Sequence, residues 1–190
     1  MHKPAVVMLL CLLCISLPAS ARKIQGVEIP DTLSIANDDT TLVLNGAGIR
    51  KKFFLDIYIG ALYLPSATTD AVAILNDTGP ASILMHFLHS EVRKKKITAG
   101  WTNGLEANLT PAEMAAIRPK LDSFNKLFRT VREGDIIRVD YLPARGTEVR
   151  INNEWRGSIE NNDFFRTLLQ IWLGPHPVSK PLKQGMLGLD

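Results

Sequence analysis

The sequence predicts an α+β domain in which helices pack on an antiparallel sheet. Residues 81–89 predict a strand, with residues 84, 86 and 88 on one face and 85, 87 and 89 on the other, and residues 135–142 alternate as a strand does. Between them, residues 97–128 carry apolar side chains at steps of three and four, which is typical of amphipathic helices. Because the strands are grouped before and after a helical middle, the pattern favours α+β over alternating βαβ units.

The N-terminal residues 1–21 predict a cleaved secretory signal peptide. Lys3 supplies the positive start, residues 6–15 form an apolar stretch, and Ala19-Ser20-Ala21 gives the small-residue cleavage pattern. The apolar stretch ends before Pro18 and is shorter than the roughly 20 residues needed to span a bilayer. We therefore expect export, with the periplasm as the compartment and cleavage after Ala21.

Composition and cysteine positions exclude several classes of protein. The chain has 190 residues, 22 basic and 19 acidic side chains, and a net charge of +3, without a basic run interleaved with aromatic residues. This argues against a nucleic-acid binder. Cys11 and Cys14 both lie in the signal segment, so the exported part has no disulfide and no thiol nucleophile. No metal site and no cofactor are predicted.

The first half of the exported chain reads as strands with one short helix. Residues 26–30 and 42–44 begin the strand pattern, and Asn45-Gly46-Ala47-Gly48 is interpreted as a turn. Residues 53–64 are rich in aromatic and β-branched side chains and predict a strand. A short helix at 70–75 precedes the strand at 81–89.

The second half contains the stronger helix signals. Residues 110–113 form a capping box with proline at the first helical position, Pro119 is expected to kink that helix, and Gly134 is expected to stop it. Residues 147–151 and 154–159 predict a hairpin across Asn152-Asn153. A last helix reaches Gly174, and residues 176–190 are expected to form a loosely ordered tail.

Arg50 is the main candidate for a binding residue. The segment Gly46-Ala47-Gly48 begins like a dinucleotide fingerprint, but Lys51 stands where the third glycine would fall, so that interpretation fails. Arg50 is either an exposed arginine in a basic patch with Lys51 and Lys52, or an arginine pointing into an apolar cavity. In the second case it needs an anionic ligand or an internal carboxylate, since burying an unpaired charge costs several kcal/mol.

Two further basic features allow two interpretations each. His86 and His89 lie three apart on a predicted strand and face opposite sides, so they are poorly placed to share a metal ion. His89 is either a half-buried strand residue or a ligand-binding residue. The basic run at 93–96 is either a solvated helix face or an attraction site for anionic ligands or lipid head groups.

Three segments together resemble the chalcone isomerase-like family. They are residues 44–50 running into 53–65, Ser90-Glu91 with Trp101 ten residues later, and residues 159–162 opening the last helix. The resemblance covers roughly residues 25–175 and implies one domain, residues 22–175. It implies an open-faced sandwich, a long antiparallel sheet with a layer of helices over it, and a ligand cleft between the two.

The resemblance also implies roles for five positions. The pocket arginine of the plant enzymes falls on Arg50, whereas their other catalytic positions fall on Tyr58, His89, Lys96 and Phe165, which differ from the enzyme's residues. Chalcone cyclisation is therefore not expected. The arginine and tyrosine of the fatty-acid-binding branch match Arg50 and Tyr58. The expected function is non-catalytic binding of a small amphipathic acid such as a fatty acid, with His89 and Lys96 near its polar end and Phe165 as apolar wall.

Two other function classes remain open. The first is an isomerase or intramolecular lyase on another substrate, with Arg50 stabilising an enolate and His89 acting as general acid or base. The second is a structural or partner-binding protein whose cleft is closed by Phe165 and Tyr58. In that case Arg50 would pair with an internal acid such as Asp56.

Overall fold

A computed structural model describes residues 21–160 and 162–189 of the chain. The predicted signal segment, apart from Ala21, lies outside the described residues. Within the described ranges, no helix is both long enough and apolar enough to cross a membrane.

The described chain forms eleven strands and five helices. The strands are β1 (Ala21–Ile24), β2 (Val27–Pro30), β3 (Thr32–Ser34), β4 (Thr41–Lys52), β5 (Leu55–Leu64), β6 (Ala81–Phe87), β7 (Glu91–Val92), β8 (Val131–Arg132), β9 (Ile136–Leu142), β10 (Gly146–Ile151) and β11 (Glu154–Ile159). The helices are α1 (Ala71–Asn76), α2 (Lys94–Glu106), α3 (Pro111–Lys126), α4 (Asn162–Leu173) and α5 (Lys180–Met186).

Seven strands form one antiparallel sheet in the order β11-β10-β9-β6-β5-β4-β3. Two small two-stranded pairs, β1-β2 and β7-β8, lie outside it. The predicted α+β class, with helices packed on an antiparallel sheet, is confirmed.

The two faces of the sheet are covered differently. The helix face carries the large core, in which alternate strand residues pack against aromatic side chains from α2, α3 and α4. On the opposite face, Ile29, Leu33 and Ile35 of the N-terminal segment pack on Ile59 and Tyr63 of β5. The N-terminal residues therefore cover part of the face that an open-faced sandwich would leave to solvent.

The turn predicted at residues 45–48 is wrong, because β4 continues through it to Lys52. A Cβ at Gly46 would overlap the carbonyl oxygen of Gly185 and come within 2.6 Å of the Gly188 nitrogen. The glycine is needed because the backbone of α5 packs directly on β4. The chain reverses instead at Phe53 and Phe54, where Lys52 pairs with Leu55 across a two-residue turn.

The sequence predicts a loosely ordered tail at 176–190, whereas the structure places residues 180–186 of it in a packed helix. Ser179 caps α5 through a hydrogen bond that its side chain accepts from the Leu182 amide, and Leu182, Met186 and Leu187 are buried. The helical signal in the sequence is short, with Leu182 and Met186 four residues apart as its clearest part. What holds the helix is its contact with the glycines of β4.

Most of the local helix and turn predictions are confirmed. Thr110 and Glu113 form the capping box at the start of α3, although the helix runs across Pro119 and ends at Lys126, before Gly134. Asn152 and Asn153 have φ angles of 53° and 64°, as a two-residue hairpin turn of this kind requires.

Candidate functional site

Arg50 and Tyr58 lie opposite each other on β4 and β5, near the end of the sheet where the two strands join. Residues directly opposite in an antiparallel pair project from the same face. Here that face is the one covered by helices, since the Tyr58 ring is buried against Phe87 with ring centroids 5.6 Å apart. The pairing slips by one residue just beyond this point, leaving Ile57 as an extra residue on β5.

The Tyr58 hydroxyl is held by the last large helix. The Trp172 indole nitrogen on α4 donates a hydrogen bond of 3.0 Å to the hydroxyl oxygen. Burial raises the pKa of Tyr58, while the nearby Arg50 charge, the hydrogen bond from Trp172 and hydrogen bonding by the Arg50 guanidinium partly oppose that shift. The hydroxyl therefore stays protonated at neutral pH, and its own hydrogen has no acceptor among the described residues.

The Arg50 guanidinium is half-buried and lacks an acidic partner. It donates to the Lys51 carbonyl oxygen at 2.9 Å, and no carboxylate of the described residues lies within 4.0 Å of it. Asp56, the acid considered for it, instead pairs with Lys51 at 3.3 Å and accepts a hydrogen bond from Gln25. The pairing of Arg50 with Asp56 is therefore wrong.

An aromatic cluster closes the interior beside Tyr58. Trp101 packs against Trp172 and Phe128 with ring centroids 5.7 Å and 5.4 Å away. The Trp101 indole nitrogen is buried and has no hydrogen-bond partner in the described chain, which is unusual for a buried tryptophan. The sequence identifies Trp101 as a core residue but gives no sign that Trp172 would orient Tyr58.

Leu182 of α5 covers this part of the sheet. A Cβ at Gly60 would lie 3.2 Å from a Leu182 methyl group and 3.3 Å from the Tyr58 ring. Leu182 therefore lies beside Tyr58 over Gly60. Access to Arg50 and Tyr58 from this side requires α5 to move.

The other three candidate residues form no hydrogen bond with Arg50 in the described chain. His89 is half-buried just after β6, and its amide nitrogen donates to the Ile57 carbonyl oxygen at 3.2 Å, beside the extra residue of β5. Lys96 is exposed on the first turn of α2. Phe165 is fully buried and stacks on Tyr141 with ring centroids 5.4 Å apart.

Phe165 lies far from Tyr58, because it stacks on Tyr141 at the other end of the sheet. Tyr141 pairs with Ala81, whereas Tyr58 pairs with Phe87, at the opposite end of β6. Six residues of strand span about 20 Å. The structure thus brings Arg50 and Tyr58 together, places the His89 backbone next to them, and leaves Phe165 at the other end of the sheet.

Neither of two cavities in the described chain is lined by Arg50 or Tyr58. One of about 450 Å³ is lined by α1, the residues after it and α4, including Arg166 and Asp77. Another of about 420 Å³ lies between β1, β4 and the start of α5, with Arg22 and Lys51 at its edge. Within the ranges the structure describes, no group of three or more acidic, histidine or cysteine side chains could hold a metal ion.

Comparisons with known proteins agree with this architecture. No curated protein matches the chain. The crystal structure of a fatty-acid binding protein from Arabidopsis thaliana has a similar fold, with a TM-score of 0.68 at 16% sequence identity, covering 88% of this chain and 96% of that one. The sequence model described as chalcone isomerase-like matches residues 21–188. The chain therefore belongs to the chalcone isomerase-like family.

Proposed function

We propose that this protein binds a small amphipathic acid, such as a fatty acid, between its sheet and its helices without transforming it. The observation that carries the proposal is the pairing of Arg50 with Tyr58. A cation without a carboxylate partner lies beside a buried hydroxyl whose hydrogen has no acceptor in the described chain. A ligand carboxylate would pair with the Arg50 guanidinium and accept the hydrogen of the Tyr58 hydroxyl.

The hydroxyl geometry supports an acceptor ligand. A tyrosine hydroxyl has one hydrogen to donate, and the Tyr58 oxygen already accepts from Trp172. Its hydrogen is therefore directed away from Trp172. Because burial raises the pKa of Tyr58, it stays a donor at neutral pH. Together with Arg50 it would give a carboxylate two charge-assisted hydrogen bonds, and the one from Arg50 would join opposite charges.

The apolar interior would hold the rest of the ligand. Burying an acyl chain contributes about 0.8 kcal/mol per CH₂, so a dozen methylenes give on the order of 10 kcal/mol against an association cost of about 4–15 kcal/mol. The chain would supply most of the affinity and Arg50 the orientation. Leu182 and Trp101 close the interior. Binding therefore requires α5 to move away from Gly46 and Gly48 of β4, on which it packs.

The similar fold of the Arabidopsis fatty-acid binding protein supports this ligand class. The proposal includes export, on the basis of the signal pattern in residues 1–21. Mass spectrometry of the protein recovered from an exporting host tests that part, since cleavage after Ala21 would leave Arg22 as the first residue.

Replacing Arg50 tests the binding site. A charge-assisted hydrogen bond contributes about 1.5–3 kcal/mol, so Arg50→Met is expected to weaken binding of a long-chain fatty acid about tenfold to a hundredfold. Titration calorimetry and native mass spectrometry would measure the change. Lys52→Met is the matched control, because it removes an exposed cation from the same strand. Equal affinity for Arg50→Met and Lys52→Met would refute the site.

A further inference from the structure

The turn between β4 and β5 exposes two large aromatic side chains. Phe53 and Phe54 are 88% and 90% exposed, and the next residue, Leu55, is 42% exposed. The other large apolar side chains of the described chain with high exposure stand singly. Adjacent, almost fully exposed phenylalanines at a projecting hairpin end form an apolar surface without a partner in the described chain.

The backbone makes this choice of residues more unusual. Phe53 has a φ angle of 55°, in the left-handed region that residues with a side chain rarely adopt. Glycine or asparagine would fit a two-residue hairpin turn with less strain. Phe53 makes no ring contact that would offset the strain within the described part of the protein. A strained, exposed aromatic residue is typical of a functional position.

Basic side chains surround this end of the sheet. Lys51 and Lys52 precede the turn, and Lys52 has no carboxylate within 4.0 Å in the described ranges. The chain leaving β6 emerges at the same end, because the amides of Leu88 and His89 both donate to the Ile57 carbonyl oxygen. That segment leads directly into α2.

The first turn of α2 adds to this basic surface. Arg93 and the three lysines that follow it are all exposed. Glu91 pairs with Arg93 at 3.5 Å, whereas Lys95 and Lys96 have no carboxylate partner among the described residues. The basic run that begins α2 and the lysines before Phe53 therefore lie at one end of the sheet.

We propose that the β4–β5 turn docks on an anionic lipid bilayer. Phe53 and Phe54 insert at the interface between head groups and acyl chains, and the neighbouring lysines bind the anionic head groups. The cations favour a bilayer over a second copy of this chain, because two such turns would repel each other. The inference does not depend on the proposed ligand. It would bring Arg50, two residues before Lys52, close to the lipid surface.

Vesicle flotation tests the docking surface. The wild-type chain is expected to float with vesicles of phosphatidylglycerol and phosphatidylcholine, and to bind phosphatidylcholine vesicles much more weakly. Phe53→Ser/Phe54→Ser should lower the partition coefficient on the order of a hundredfold, since two apolar side chains are lost from the interface. Raising the salt concentration from about 0.05 M to about 0.5 M should weaken wild-type binding.

A matched control removes two exposed apolar side chains from the other end of the molecule. Val72 on α1 and Leu189 after α5 are 66% and 56% exposed. The Asn45 side chain on β4, eight residues before Phe53, joins the Thr68 amide to the Met186 carbonyl oxygen. Val72 follows Thr68 by four residues and Leu189 follows Met186 by three, so both belong to segments held at that distant part of β4. Val72→Ser/Leu189→Ser should bind vesicles like the wild type.

Three outcomes would overturn the inference. One is a wild-type chain that does not float with anionic vesicles. Another is equal binding by Phe53→Ser/Phe54→Ser, after circular dichroism shows that it is folded. The third is a wild-type dimer, seen by light scattering, that the same substitution dissolves without any vesicle binding. Fatty-acid binding in vesicle-free buffer should survive Phe53→Ser/Phe54→Ser, so failure of the acid-binding proposal is seen separately.

Discussion

Asp140 and Glu148 on one face of the sheet are paired with arginines, whereas on the helix face Arg50 lacks an acidic partner, and Tyr58 and Trp101 lack hydrogen-bond acceptors, in the described chain. On the face opposite the helices, the fully buried Asp140 carboxylate accepts hydrogen bonds from the Ser82 hydroxyl at 2.7 Å and from the Arg138 Nε at 2.8 Å. Glu148 next to it accepts two hydrogen bonds from Arg145, at 2.8 Å and 2.7 Å. Each of these acids has its charge balanced by a neighbouring arginine.

The helix face leaves its polar groups incomplete. Within the described chain, the Tyr58 hydroxyl accepts a hydrogen bond from Trp172 and has no acceptor for its own hydrogen, and Arg50 has no acid within 4.0 Å. Trp101 adds a buried indole nitrogen that has no acceptor among the residues that the structure describes. Buried polar groups are normally paired, so the paired acids indicate a structural role, and the unpaired groups are the ones that the proposed ligand would pair with.

The largest expected effect on stability comes from breaking the hydrogen-bond network of Ser82, Asp140 and Arg138. Asp140→Ala would leave Arg138, only 14% exposed, without its carboxylate. Removing one partner of a buried ion pair costs about 3–5 kcal/mol, so the free energy of unfolding should fall by that amount. Urea unfolding followed by circular dichroism measures it.

The control for this prediction removes both charges. Because Asp140→Ala/Arg138→Met leaves no unpaired ion, it should recover a large part of the lost stability. A single Asp140→Ala variant within about 1 kcal/mol of the wild type would contradict the structural role given to the network.

Asp135 is a third acid whose carboxylate is hydrogen-bonded on several sides, and an acid titration measures what that pairing contributes to stability. Burial alone would raise the pKa of Asp135, but hydrogen bonds from the Asn152 side chain, the Arg132 amide and the Arg129 guanidinium lower it to about 2. The usual value is 3.8. Asp135 therefore contributes stability that is fully present above pH 3.8 and is lost as the pH falls towards 2.

The variant Asp135→Asn isolates that contribution. At neutral pH it should be less stable than the wild type by about 1–2 kcal/mol, and the difference should shrink to near zero by pH 2. Urea unfolding at a series of pH values gives both curves. A difference that stays constant with pH would mean that the carboxylate charge contributes nothing.

Local signals in the sequence predicted most of the fold. The capping box of Thr110 and Glu113 and the Asn152-Asn153 turn need only neighbouring residues to form, and both are present. The turn prediction at Gly46 is wrong because, in a single sequence, a glycine needed for close contact with a distant helix looks the same as a turn glycine. The packing of α5 was missed for the same reason.

The candidate site was predicted only in part. Arg50 and Tyr58 come together because they are cross-strand partners, which follows once the hairpin is placed correctly. Trp172 could not be found this way, since the hydrogen bond from its indole nitrogen to Tyr58 depends on how α4 sits on the sheet. Phe165 also depends on that placement, and it faces Tyr141 at the other end.

Replacing one arginine on each face with methionine compares the two faces most directly. The smallest expected change in stability is that of Arg50→Met. Arg138→Met leaves Asp140 buried without its cation and should cost about 3–5 kcal/mol. Arg50→Met removes a cation that has no acidic partner in the described chain, so its cost should stay below about 1 kcal/mol. Urea unfolding of the two variants without added ligand measures the difference. If Arg50→Met proved as destabilising as Arg138→Met, Arg50 would hold the fold together, and its lack of an acid could no longer be taken as evidence for a ligand.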